Sequence, residues 1–92
     1  MKYVKVKWKH DLPDTPDVLY SELDSDQWEV RKVETYPDGR MDFADHEERT
    51  GSTKLGIEPM PPLDLIATDP EFEPQIISAE EFEAVWEKAK AR

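Results

Sequence analysis

The sequence predicts an α+β fold, an antiparallel β-meander of about four strands packed by a C-terminal α-helix. Three observations predict it. Short runs in the first half alternate apolar and polar residues with period two, the pattern of half-buried strands. Mostly short turn sequences separate these runs, which favours antiparallel neighbours. The C-terminal segment instead spaces its apolar groups for a helix, behind a capping sequence.

The first run, "KYVKVKWK", puts Val4, Val6 and Trp8 on one side and Tyr3, Lys5, Lys7 and Lys9 on the other, so the lysine side is expected to be wet. "HDLPDTPD" carries two prolines and three aspartates and reads as a loop. "VLYSEL" is the second strand, followed by the polar turn "DSDQ". Trp28, Val30, Lys32 and Glu34 then share one face, with Glu29, Arg31, Val33 and Thr35 on the other. "PDG" closes this arm into a hairpin, because Pro37 presets φ and Gly39 accepts a positive φ. Met41 and Phe43 align on the returning arm.

The pattern lapses over residues 47–75, which is expected to be an irregular, Gly/Pro-punctuated region within a single domain spanning residues 1–92. Its stretch "IEPMPPLDLIATDPEFEP" holds five prolines, which rules out a long helix. Pro61 and Pro62 can still start one short turn anchored by Leu63 and Ile66. Ser78, with Glu81 three residues on, then caps a helix whose Phe82, Val85, Trp86 and Ala89 form one apolar stripe. Such a short helix is marginal alone. Val4, Val6, Trp8, Phe82, Val85 and Trp86 are expected to pack together, and Trp28 also joins the core.

With 92 residues the chain builds one modest core. It has no cysteine, so disulfides and thiolate metal sites are excluded and a cytoplasmic location is expected. No run reaches the roughly 20 apolar residues of a membrane helix, and no apolar stretch follows the first lysines as in a secretory signal. The 22 acidic and 12 basic side chains give a net charge of −10. That field repels phosphate backbones, so no nucleic acid is expected, and it attracts a basic protein. The lysines of the first strand are expected to pair with acids of the second.

The run "MKYVKVKW…DLPDTPDVLYSELDSDQWEVRKVETYPDGR" and the tail "PPLDLIATDPEFEPQIISAEEFEAVWEKA" resemble a family of small bacterial proteins known as domain of unknown function 6881. The resemblance covers nearly the whole chain and rests on "LYSELD", "WEVRKVE", "DGR" and the proline-rich stretch before "EFE". It implies a stand-alone cytosolic domain and brings no catalytic residues.

The residues themselves favour recognition over catalysis. No nucleophile, base and oxyanion set assembles, "GSTKLG" lacks the order of a phosphate loop, and Ser78 is used as a cap. The expectation is therefore a non-enzymatic, cofactor-free protein-binding module, of the immunity or antitoxin-like inhibitor kind, with an acidic surface against a basic partner. Its candidate binding residues are Asp24, Asp26, Glu29, Arg31 and Tyr36, since an exposed tyrosine beside charge offers rigid contact area. The competing class is a small-ligand or divalent-metal domain built on His10, Asp11, Asp45 and His46, where imidazole and carboxylate occur together.

Overall fold

Alternation in the first half becomes four consecutive strands in the computed structural model, which describes residues 1–91. Among the described residues the elements are β1 (Lys2–Trp8), β2 (Val18–Leu23), β3 (Glu29–Thr35), β4 (Met41–Ala44), the single turn α1 (Leu63–Ile66), β5 (Phe72–Ile77) and α2 (Ala79–Lys90). The sheet runs β4-β3-β2-β1-β5 with every neighbour antiparallel. The meander and the C-terminal helix are as the sequence predicts. The strand count is five, not four.

The extra strand begins at Phe72, inside the stretch expected to be irregular, and lies beside β1. Its proline hid it, since proline inside a run argues against a central strand. β5 is an edge strand, however. The Lys9 N–H donates to the Glu71 carbonyl at 2.7 Å, and antiparallel alternation from that bond turns Glu73 and Gln75 toward β1. Pro74 thereby faces outward, where its missing N–H breaks no ladder bond and blunts the open edge. The lysine pairing also runs this way: Lys9 Nζ meets Glu73 at 2.9 Å across to β5. No lysine of β1 stands opposite an acid of β2, where Lys5 faces Tyr20 and Lys7 faces Val18.

Both faces of the sheet are covered, which corrects the expected core. α2 packs on the face of Tyr3, Tyr20 and Val33, burying Val33, Phe43, Ile77, Phe82, Trp86 and Ala89 together. Val4, Val6 and Leu23 form a second cluster on the opposite face, under Met60, Leu63, Ile66 and Phe72. The alternation in β1 was sound, but its tyrosine side receives the helix and its valine side receives the proline-rich segment. Lys5 and Lys7 are flanked by Tyr20 and Val18 on that helix face. Trp28 stays 41% exposed, and Trp8 lies half-buried against Phe72 and His10.

Local signals in the turns and caps hold. The Gly39 N–H donates to the Tyr36 carbonyl and the Tyr36 N–H to the Arg40 carbonyl, both at 2.9 Å. Gly39 has φ +90°, the glycine-bulge position of a type I turn. Ser78 Oγ accepts from the Glu81 N–H at 3.0 Å. Ser78→Ala should therefore cost about 0.5–2 kcal/mol, read as a lower urea midpoint with unchanged helix content in the native baseline.

Candidate protein-docking cleft

In an antiparallel meander the start of β2 lies against the end of β3, here Val18 opposite Thr35. This register brings the β1–β2 loop and the Pro37-Asp38-Gly39 turn to one end of the sheet. The Trp8 N–H donates to the Asp17 carbonyl at 2.8 Å and the Asp17 N–H to the Thr35 carbonyl at 2.9 Å. Asp17 is thus pinned by its backbone while its carboxylate is left for other work. Between this corner and α2 opens a cleft of about 680 Å³, with Asp17, Tyr20, Tyr36, Asp38, Val85 and Lys88 on its walls.

Asp17 and Asp38 share the cleft walls with Lys88, so charges of both signs line it. Burial pushes the Tyr20 hydroxyl above its ordinary value, and the charges of Glu81 and Asp17 push it further the same way. Arg40 shows what this corner accepts. Its guanidinium lies 4.3 Å from the centre of the Tyr36 ring, 3.4 Å from Asp38 and 3.8 Å from Asp14. A cation over an aromatic face among aspartates is favourable chemistry. The Arg40 backbone N–H, donating to Asp38 Oδ1 at 2.9 Å, is the first cause holding the Asp38 carboxyl below its usual range.

The residues predicted for docking do not form one surface. Tyr36 lines this cleft but is buried at 7% exposure rather than exposed. Asp24 and Asp26 sit at the opposite end, in the β2–β3 turn, where Asp24 Oδ1 accepts from the Asp26 and Trp28 N–H groups. Glu29 is buried, because a bulge opposite Glu22 and Leu23 shifts the register and returns it to the face of Ser21. There it accepts from the Ser21 hydroxyl at 3.0 Å and the Gly56 N–H at 2.6 Å. Arg31 turns inward beneath α2, clamped by Glu22 at 2.6 and 3.0 Å and by Glu83.

The metal-type constellation is also divided. Asp11 follows β1, whereas Asp45 and His46 follow β4 at the other end of the sheet. His10 accepts the Leu12 N–H at Nδ1, 3.0 Å away, so Nε2 carries the proton it donates to the Pro16 carbonyl at 2.8 Å. Asp45 Oδ1 accepts the Glu47 and Glu48 N–H groups, each at 2.8 Å. These two N–H donors, Glu48 first, hold its carboxyl below the usual range.

Asp17, Tyr20, Asp38 and Glu81 were missed as a group. Strand-end bookkeeping could have joined Asp17 to Asp38, since a meander places the two segments side by side. Glu81 comes from α2, and only the docking of that helix brings it near.

A family model described as "Domain of unknown function (DUF6881)" matches residues 2–91. No curated protein matches, and no solved structure does.

Proposed function

Starting from the fact that the chain belongs to the DUF6881 family, we propose that it is a non-enzymatic protein-binding module whose acidic surface meets a basic partner. An immunity or antitoxin-like inhibitor in the bacterial cytoplasm is the kind of protein this describes. The observation that carries the reading is the cleft, where Asp17 and Asp38 share the walls with Tyr20 and Tyr36 and the charge of Glu81 reaches Tyr20. A partner's arginine or lysine entering there would meet the environment Arg40 already occupies on Tyr36. Recognition of this sort needs complementary charge and shape but no reacting group. The net charge of −10 adds long-range steering toward such a partner.

The test is kinetic, on a partner captured with the full chain. Exposed charges are screened over about 8 Å at physiological ionic strength, so the on-rate should fall as salt rises. Asp17→Asn combined with Glu81→Gln should lower the on-rate at low salt by roughly tenfold. Tyr20→Leu, which keeps apolar bulk, should act mainly by raising the off-rate. An acidic partner, or an on-rate indifferent to salt and to the double substitution, would refute the reading.

A further inference from the structure

Between β1 and β2 the chain crosses one end of the sheet in a loop, residues 9–17, that has little of its own to hold it. Residues 11–14 are exposed. The Thr15 N–H reaches the Leu12 carbonyl only at 3.5 Å, and Arg40 reaches Asp14 only at 3.8 Å. The better-made contacts belong to His10, whose Nδ1 accepts the Leu12 N–H at 3.0 Å while Nε2 donates to the Pro16 carbonyl at 2.8 Å. One ring thus ties two points of the loop. Its own seat is the edge of Trp8, 4.9 Å between ring centres, and Trp8 lies 5.7 Å from Phe72 of β5.

These two partners fix what a second proton must do. A backbone N–H can only donate and a carbonyl can only accept. Neutral imidazole, protonated on Nε2, serves both at once. Imidazolium carries a proton on each nitrogen and accepts nothing. Whichever way the ring turns, the Leu12 N–H then faces a donor and loses its acceptor. The charged groups on the surrounding elements are Lys9 after β1, Asp11, Asp14 and Asp17 in the loop, Asp69 and Glu71 ahead of β5, Glu73 on it, and Arg40 after the hairpin turn. Lys9 is taken by Glu73, and Arg40 lies between Asp38 and Asp14. None of these groups forms an ion pair with His10 among the described residues, so what protonation changes directly is the hydrogen bonding of the ring.

We propose that His10 is a pH-sensitive latch on the β1–β2 loop: neutral, it pins Leu12 and Pro16 beside the end of β1, and protonated, it releases Leu12 and loosens residues 11–15. Histidine is the side chain whose ordinary titration falls between about pH 5 and pH 8, so the release belongs to mild acidification, above the ordinary range of carboxylates. One hydrogen bond shifts a local equilibrium roughly two- to tenfold, which matters in a loop with so few other ties. Asp17 stays fixed, because its backbone is held by the Trp8 N–H and the Thr35 carbonyl. The loosening is therefore confined to the segment ahead of it, which carries Asp14 away from Arg40. A consequence for docking rests on the cleft being the docking surface, whereas the latch is a property of the chain alone.

The experiment is an NMR pH titration of the full ¹⁵N-labelled chain from about pH 7.5 to about pH 5, across the ordinary range of imidazole. At the upper end the His10 ring nitrogens should show the proton on Nε2. On acidification the backbone order of Leu12, Asp14 and Thr15, read from ¹⁵N relaxation, should fall with the midpoint of the His10 ring, the open population rising roughly two- to tenfold. His10→Asn keeps an acceptor two residues before Leu12, in the manner of an Asx turn, and does not titrate, so its loop should stay ordered throughout. His46→Asn, at an exposed position outside the loop, should keep the wild-type response. A neutral His10 ring protonated on Nδ1, loop order that stays flat while His10 titrates, or the same loosening in His10→Asn would each overturn the proposal. No partner enters the measurement, so the latch and the docking cleft stand or fall separately.

Discussion

Trp86→Ala is expected to lower the unfolding free energy by about 3–5 kcal/mol, the cost of deleting a large buried aromatic. Trp86 is 5% exposed and sits at the centre of the α2 interface. Its ring meets Phe43 edge-on at 5.2 Å and stacks beside Phe82 at 6.4 Å. Arg31 and Lys90 place cations at 5.1 and 5.6 Å from it. The cavity cannot close easily, because its walls belong to two strands and a helix. A small domain has only about 5–15 kcal/mol to lose, so the urea midpoint should fall steeply. Trp28→Ala is the control. With 41% of that side chain's residue exposed, its removal should cost under about 1 kcal/mol. Equal losses from the two tryptophans would contradict the packing described.

Arg31→Met should cost about 2–4 kcal/mol, somewhat under the usual loss for breaking a fully buried pair. The guanidinium holds Glu22 from β2 and Glu83 from α2 at once and lies 5.0 Å from the Phe82 ring. Its removal leaves Glu22, whose side chain is 8% exposed, without its cation. Hydrogen bonding from Arg31 is the first cause that keeps both Glu22 and Glu83 below the ordinary carboxylate range. A depressed pKa contributes stability above the unfolded value, near 4.5, which is lost as pH falls through the folded value. The wild-type chain should therefore weaken on acidification below about pH 4.5, and the gap to Arg31→Met should narrow there. A gap that stays constant from pH 7 to pH 3 would show that the pair contributes nothing through its charge.

These two predictions rest on contacts that differ in how readable they were. Trp86 was legible as part of a helical stripe, because side chains three and four apart share a face whatever the helix packs on. Arg31 was read as a surface residue, because alternation tells which residues share a face but not whether a face is covered. The same gap hides the cover over Tyr3, which packs against the helix cluster, and Tyr36, just past the end of β3, is buried as well. Glu29 failed for another reason. One bulge shifts all residues beyond it to the other face, and a single extra residue leaves no mark on composition or period.

The sequence by itself determined the local elements: the meander from its period of two, the hairpin from Pro37 and Gly39, the start of α2 from Ser78, and the short turn at Leu63 and Ile66. These depend on interactions within a few residues, so nearby side chains specify them. Tertiary structure alone decided which side of β1 received α2, that β5 would close the sheet beside it, and which charges met. Such outcomes depend on contacts between segments far apart in the chain. Arg31 bonding Glu83 and Lys9 meeting Glu73 are examples, and the cleft arises from the same long-range packing because it is walled by segments the sequence keeps apart.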